Sequence, residues 1–482
     1  MVNSLNVKAV KSDSPVKLKP LLISILIGVL ICFIPKPNMV PRNGWYLLAV
    51  FIAIIVACAL GAVSLGLASF IGIFILTSTH IITVKTAFSS YAEGVIWLIV
   101  CADCLSIGIT KTGLGKRIAY NLIKKIGKRT IGAGYSLVIC EIILSMLIPS
   151  SASRSCGIVF PIAKSLSRAY GSKVGDGTEK KAGEFLMLTA LHSNLISSSL
   201  FMTSSVVNLL AITMARDLGV KENITFGMWF LMALLPSLIA FIVIPIIIYF
   251  LCPPEIKKMD NVKELMDKKL EELGPISKSE KLMIFVFTIV VFLWIIGNKI
   301  NLDVTTVGVL GLIILISTGI VSWKEFTGKK EIWNLLIWLG AFMMMAGQLN
   351  KLGVIKWISS IVRDHIYTKS WMLTLIIVCI IMYYLHYLFA SNTVHFTALF
   401  SAFLTILLSA GAPTIVSIFL LVNISALSSG LTHYGLAQGG VYFSEGYVEQ
   451  KKWWFVGFCV SIVHLLILIG IGMLWWKFIG IY

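Results

Sequence analysis

The chain has 482 residues, of which 58% are hydrophobic and 13% charged, and its mean hydropathy is +0.93. A water-soluble domain carries roughly 25% charged residues, so a soluble globular fold is excluded. The net charge of +18 does not mark a nucleic-acid binder either, because its placement follows membrane topology.

The apolar runs approach the ~20 residues that a helix needs to cross a bilayer. In chain order they are Pro20 to Pro35, Gly44 to Gly61, Ala62 to Ile82, Val95 to Ile109, Phe226 to Leu251, Leu282 to Gly297, Val304 to Val321, Ile332 to Ala346 and Phe455 to Trp476. Backbone polar groups in lipid must be satisfied within the segment, so these runs are expected as helices. The short alternating segments of a β-barrel are absent from the sequence. Pro20 to Pro35 lacks a clean small-residue cleavage site and reads as a first span rather than a signal peptide. The nine cysteines are odd in number, and the Cys101–Cys104 pair within an apolar run is expected to pack, not to bind metal.

With the N-tail (1–19) on the cytoplasmic side, 28 of the 40 Lys/Arg fall inside. They lie in the N-tail (Lys8, Lys11, Lys17, Lys19), in Lys111 to Arg129, Lys164 to Lys181, Lys257 to Lys281 and Lys324 to Lys330, and at Lys451 and Lys452. The positive-inside rule requires such an asymmetry. The polar stretch 253–280 divides the chain into halves, 20–252 and 281–482, and is expected as a cytoplasmic linker.

The halves repeat. Lys111-Thr-Gly113-Leu-Gly-Lys116 returns as Lys351-Leu-Gly353-Val-Ile-Lys356, and Ser150-Ser151-Ala152-Ser153-Arg154 as Ser391-Asn392-Thr393-Val394-His395. His192 is matched by His433, and all these offsets are 240 or 241 residues. The topology count puts the first KxGxxK inside and the second outside, so the repeats are inverted. Inverted repeats mark secondary transporters, whose site lies mid-membrane where the repeats meet. Gly113 to Lys128 and Gly353 to Asp364 are amphipathic and read as interfacial arms.

Ile131 to Pro149 and Gly157 to Ala169 are apolar limbs around a polar tip, as are Met372 to Ala390 and Phe396 to Leu408. Each pair reads as a re-entrant hairpin. After each comes an apolar segment broken by small polar residues, from Leu191 to Ser199 and on to Thr203 and Asn208 in the first half, and from Ser428 to Gly435 in the second. The returning limb of a hairpin begins at its tip, where unpaired N–H groups and the positive dipole end suit an anion. The expected binding residues are therefore Ser150, Ser151, Ser153, Ser391, Asn392 and Thr393 at the tips. Asn194, Thr432 and His433 are expected from the broken segments. Arg154 and His395 stand at equivalent places just beyond the tips, and ionisable residues at membrane depth are usually functional; both are expected to hold positive charge near a polycarboxylate. Asp103 and Glu141, inside apolar runs, are expected to pair with basic groups. No HExxH or Gly-x-Ser-x-Gly is present, so the sequence offers no enzyme motif.

At these motifs the chain resembles the divalent anion/sodium symporter family, and within it the bacterial and plastid dicarboxylate and citrate antiporters. The family's hairpin signature is Ser-Asn-Thr, set in the antiporter branch within Pro-Ser-Asn-Thr-Ala-Arg. Here the first reads Pro149-Ser150-Ser151-Ala152-Ser153-Arg154 and the second Ser391-Asn392-Thr393-Val394-His395; Leu431-Thr432-His433-Tyr434-Gly435 and Val441-Tyr442-Phe443 also match that branch. The first signature departs from the family at Ser151 and Ala152, and Ala152 has no side-chain hydrogen bond to offer.

The resemblance implies an all-α, polytopic inner- or plasma-membrane homodimer with about 11 transmembrane helices and two re-entrant hairpins. It implies an elevator mechanism, with static scaffold helices (20–128 and 281–368) and moving transport elements (129–252 and 369–482). It implies small carboxylate anions as partners and neither cofactor nor nucleic acid. Sodium-coupled members hold Na+ at the tips. With fixed positive charge from Arg154 and His395, no metal is expected here, and the expected activity is Na+-independent exchange of anions such as 2-oxoglutarate, citrate, malate and succinate. A Na+-coupled dicarboxylate symporter is the alternative.

Overall fold

A computed structural model describes residues 16–148, 150–297, 300–365 and 370–482; Lys8 and Lys11 of the basic N-tail and Pro149 of the first motif lie outside these. The fold is all-helical, and among the described residues no strand forms, only an isolated bridge between Arg129 and Lys258. Among the described residues, eight helices are long and apolar enough to cross a membrane, and five shorter apolar helices accompany them. Leu22, Ile25, Leu26, Leu30, Leu238, Ile242 and Phe250 point outward into solvent space. Apolar surface this extensive is what a lipid-facing wall requires, and the protein is a multi-pass membrane protein.

The elements run α1 (Leu18–Phe33), α2 (Arg42–Ala59), α3 (Leu65–Ser78), α4 (Val84–Ala87), α5 (Gly94–Thr112), α6 (Leu114–Ile126), α7 (Thr130–Leu147), α8 (Ser151–Arg154) and α9 (Phe160–Ala169). They continue α10 (Gly183–Leu200), α11 (Val206–Asp217), α12 (Phe226–Leu251), α13 (Val262–Leu273), α14 (Lys278–Ile296), α15 (Val304–Ser317), α16 (Trp323–Gly328) and α17 (Lys330–Lys351). The last are α18 (Val354–His365), α19 (Trp371–Leu385), α20 (Asn392–Ser409), α21 (Thr414–Ser428), α22 (Ala437–Ser444), α23 (Gln450–Leu465) and α24 (Met473–Phe478).

Elements α2 to α7 recur as α14 to α19, α8 with α9 as α20, α10 and α11 as α21 and α22, and α12 as α23 with α24. The motif glycines show why the sequence repeat exists. Gly113 (φ +79°) and Gly353 (φ +75°) sit at the sharp turns α5–α6 and α17–α18, in the left-handed region that side chains disfavour. The N-caps repeat as well: Ser64 and Asp303 cap α3 and α15, and Thr83 and Ser322 cap α4 and α16. The common offset ends beyond the hairpins. The connection 170–182 before α10 is nine residues longer than 410–413 before α21, so positions on these two helices correspond about 231 apart. The match of His192 with His433 is thus coincidental: His192 lies mid-way along α10, whereas His433 lies beyond the end of α21.

The breaks fall within the expected polar stretches. Helix α10 is continuous through Asn194 to Leu200 and opens only at 201–205; the second break spans 429–436. The carbonyls freed at the first opening are recovered by side chains. Ser204 donates to the Ser198 and Phe201 carbonyls, Asn208 to the same two, and the Trp229 indole to that of Ser199 (3.0 Å). A further freed carbonyl belongs to Met232, whose helical partner would be the nitrogen of Pro236 on α12; the Trp476 indole donates to it at 3.0 Å. In a lipid-surrounded bundle such replacements are obligatory.

The linker is anchored rather than loose. Its helix α13 packs along α6, Lys124 pairs with Asp267, and Arg117 grips Glu280 through Nε (2.6 Å) and Nη2 (3.1 Å). Helices α2, α3, α5, α15 and α17 pack on one another, and α7, α10, α12, α21 and α23 form a second connected group.

At the second break α23 crosses the open backbone with nothing between them. A Cβ on Gly457 would lie 2.7 Å from the Gly430 carbonyl oxygen and 2.9 Å from that of Leu431. Backbone cannot yield as a side-chain end can. Gly457→Ala is therefore expected to destabilise the protein by about 1–3 kcal/mol, read as a lowered unfolding midpoint in detergent, while Gly470→Ala, whose Cβ would meet nothing, stays near wild type.

Candidate functional site

The first tip joins α7 to α8. The Ser150 hydroxyl caps α8 by accepting from the Ser153 backbone N–H (3.3 Å), and the returning limb widens into a π-helical turn at 155–159 before α9. Arg154 is fully buried, and each of its five N–H donors is used. Nε donates to Glu141 Oε2 (2.7 Å), Nη1 to the carbonyls of Ile148 (2.8 Å) and Ser204 (3.4 Å), and Nη2 to the hydroxyls of Ser197 (2.9 Å) and Ser198 (3.2 Å). Glu141, equally buried on α7, also accepts from Asn194 Nδ2 (3.2 Å) and Ser197 Oγ (3.1 Å). Asn194 reaches on to the Ser151 carbonyl (3.2 Å). One charge pair and the polar face of α10 thus fix both limbs of the hairpin.

This changes the expected part of Arg154. Its positive charge is balanced inside the protein by Glu141, so the guanidinium braces the tip instead of presenting net charge to a ligand. The expected pairing of Glu141 with a basic group is met; Asp103, on α5, makes no ion pair among the described residues.

The second tip joins α19 to α20, where the Ser391 hydroxyl accepts from Val394 N–H (3.4 Å). His395 is fully buried. Its Nε2 donates to the Met382 carbonyl (3.0 Å), and its Nδ1 meets Ser425 Oγ (2.9 Å), which in turn lies 2.8 Å from Asn392 Oδ1. Ser425 on α21 does here what Asn194 does on α10. The two differ by 231 residues, as the shortened connection requires.

The halves meet at the first tip. From α22, Gln438 Nε2 donates to Ser151 Oγ (3.1 Å), and the Tyr442 hydroxyl lies 3.2 Å from Ser155 Oγ. Thr432 is buried in the second break. His433 stacks on Phe443 with ring centroids 4.1 Å apart and accepts from the Trp454 indole (3.3 Å), which draws it into an aromatic cluster. Ser150, Ser151, Ser153, Ser391, Asn392 and Thr393 are all partly exposed, whereas Asn194, Arg154 and His395 sit behind them. Sequence reasoning missed Ser425 and Gln438; the polar pair Asn423 and Ser425 in an otherwise apolar run was the available signal.

A cavity of about 780 Å³ opens beside the first tip, lined by Ser153 and Gly157, by Ser106, Thr110 and Lys111 of α5, and by Lys324, Glu325 and Lys329. Lys111 and Glu325 form an ion pair (2.8 Å). The bond from Lys111, helped by the capping bonds with Ser322, pulls the Glu325 carboxyl down to about 2, so the pair persists throughout the neutral range. Of the remaining cavity lysines, Lys329 lies 3.8 Å from Glu331 and Lys324 forms no ion pair among the described residues, so Lys324 supplies the unbalanced positive charge at the mouth. A small-polar helix start, braced from behind and beside a basic vestibule in an all-helical membrane bundle, is an arrangement suited to an anion.

The chain matches the family described as the sodium:sulfate symporter transmembrane region over residues 16–482, and it belongs to that divalent anion/sodium symporter family. It is 40% identical over 467 residues to "Dicarboxylate transporter 1, chloroplastic" of Arabidopsis thaliana, covering 96% of this chain and 84% of that one. It is 40% identical over 470 residues to the "Putative malate transporter YflS" of Bacillus subtilis (strain 168), covering 98% of each. Among solved structures it resembles the Alcanivorax borkumensis YdaH transporter (TM-score 0.58, 11% identity, 85% of this chain and 89% of that one). It likewise resembles Neisseria gonorrhoeae MtrF (TM-score 0.60, 13% identity, 94% and 97%). At these identities the two structures share the fold alone.

Removing either member of the buried pair strands the other. Glu141→Ala and Arg154→Ala are each expected to cost about 3–5 kcal/mol. The double variant should lose clearly less than the sum, because no unpaired charge remains. A double-mutant cycle of unfolding midpoints measures this, and additive losses would contradict the bracing role.

Proposed function

We propose that this protein carries dicarboxylate anions across the plasma membrane, binding them between the two polar tips. The observation that carries this reading is the pair of hairpin tips. Ser150, Ser151 and Ser153, and Ser391, Asn392 and Thr393, each open the first turn of a returning limb, partly exposed and fixed from behind by α10 or α21. Helix N-termini and short hydroxyl or amide side chains at both ends match a ligand with a carboxylate at each end. The printed names of the relatives, dicarboxylate and malate transporters, support the same substrate class.

In this reading the N-terminus is cytoplasmic, the repeats are inverted, and about 11 spans and two re-entrant hairpins make up each subunit of a homodimer. The α7–α12 and α19–α24 elements move as an elevator against the remaining helices. The lysine-lined cavity beside Ser153 is then the cytoplasmic entrance, where Lys324 gathers anions by attraction.

Exchange is the preferred mode. An anion site with its hydrogen-bond donors pointing inward and no bound anion carries unbalanced polarity through a low-dielectric barrier, so the empty carrier returns slowly. One observation favours the alternative of Na+-coupled symport: Glu141 cancels the charge of Arg154, which leaves the first tip without net positive charge. Counterflow in proteoliposomes separates the two. Malate-loaded vesicles are expected to take up labelled malate at the same rate with Na+ or K+ outside, and empty vesicles at least about tenfold more slowly. A strong Na+ requirement with net uptake into empty vesicles would establish symport.

A further inference from the structure

The donors at the second tip can be counted, and the count has two solutions. The Met382 carbonyl only accepts, so Nε2 of His395 carries a hydrogen and donates to it. Between His395 Nδ1 and the Asn392 amide stands Ser425, whose hydroxyl has one hydrogen for two neighbours at 2.9 and 2.8 Å. With a neutral imidazole, Nδ1 accepts the serine hydrogen. Ser425 must then receive from the Asn392 NH2, and Oδ1 faces the tip. With a proton on Nδ1, the ring donates to Ser425, Ser425 donates to Asn392 Oδ1, and the NH2 faces the tip. Ser425 Oγ lies 2.8 Å from the amide end of Asn392, a distance that serves both arrangements.

We propose that a carboxylate binding at the second tip draws one proton from water onto His395, and that Ser425 passes this state to Asn392, whose NH2 then donates to the carboxylate. His395 and Ser425 are positioning residues in this scheme, and Asn392 is the residue that touches substrate. The inference rests on the carboxylate-transport reading. It also supplies what the first tip lacks, since Arg154 is neutralised by Glu141 and the proton on His395 provides the positive charge a dianion needs.

The surroundings permit this assignment. The nearest titratable group is His386, whose ring centroid is 4.5 Å from that of His395 and whose Nε2 is committed as donor to the Gly435 carbonyl (2.9 Å). Phe389 presents its ring at 5.1 Å. The elements packed on α20 carry Tyr383 and Tyr384 (α19), Arg216 and Asp217 (last turn of α11), Arg42 and Tyr46 (first turn of α2) and Lys356 (α18). Tyr383 is turned to His464 (3.1 Å) and Tyr384 to Ser461 (3.1 Å). Among the described residues no carboxylate, lysine or arginine pairs with His395, so a bound anion is the charge that favours its protonated form.

The test is calorimetry of L-malate binding to the purified full chain at about pH 7.5, where both malate carboxyls are ionised, in two buffers of different ionisation enthalpy. Wild type is expected to take up close to one proton per malate. Ser425→Ala and His395→Gln are expected to lose that uptake and to bind malate about tenfold more weakly. Ser425→Thr, which keeps the hydroxyl, should retain both; it and His395→Gln carry the test if Ser425→Ala does not fold. Malate binding without proton uptake in wild type overturns the relay and leaves the carboxylate reading standing. Unchanged uptake in a folded Ser425→Ala overturns the role of Ser425. Absence of binding by malate, succinate, 2-oxoglutarate and citrate alike overturns the carboxylate reading, and the relay with it.

Discussion

The placement of the candidate site depends on one buried ion pair. Arg154 and Glu141 are both shielded completely from solvent, and a lone charge in such surroundings carries a penalty of several kcal/mol. The pair is tolerable because every donor on the guanidinium and both oxygens of the carboxylate have partners, from the limbs of the hairpin and from Ser197, Ser198 and Asn194 on α10. Its consequence is geometric. The residues that satisfy the pair are also the ones that hold the first tip against α10, so the exposed hydroxyls of Ser150, Ser151 and Ser153 have no freedom to drift. A charged pair can fix a register or orientation more tightly than apolar packing does, and here it fixes the entry of a helix.

The second tip solves the same mechanical problem without a permanent charge. A histidine, a backbone carbonyl and a serine replace the arginine, the glutamate and the asparagine, and two fewer permanent ions are buried. The two halves therefore share a scaffold but not a chemistry. One tip is permanently ion-paired and rigid. The other ends in an imidazole and an amide, both of which can change state. Helix α22 then brings Gln438 and Tyr442 of the second half onto the first tip, so the first hairpin is completed by the opposite repeat.

Much of this was legible in the sequence, for identifiable reasons. Apolar length revealed the helices, since hydrocarbon thickness dictates it. The glycines of the KxGxxK repeats revealed a recurring turn because only that residue is at ease at positive φ. The tips were legible because polar runs inside apolar segments are conspicuous. Partnership was not. Nothing along the chain says that Glu141, thirteen residues earlier, faces Arg154, and the lone positive charge inferred from sequence became half of a pair. The matching of His192 with His433 failed because a nine-residue difference in a connection leaves residue spacing but not structural equivalence. The first break takes only the later part of its polar stretch, since Asn194 and Ser197 serve the neighbouring hairpin while α10 remains intact around them.

The account stands or falls on where the anion sits. A density map of the protein in lipid nanodiscs with saturating malate is the most direct measurement. The expected result is ligand density bridging the two hairpins, within hydrogen-bonding reach of Ser151 or Ser153 on one side and of Asn392 or Thr393 on the other. Density confined to the lysine-lined vestibule at Lys324 and Lys329, with the two tips unoccupied, would contradict it.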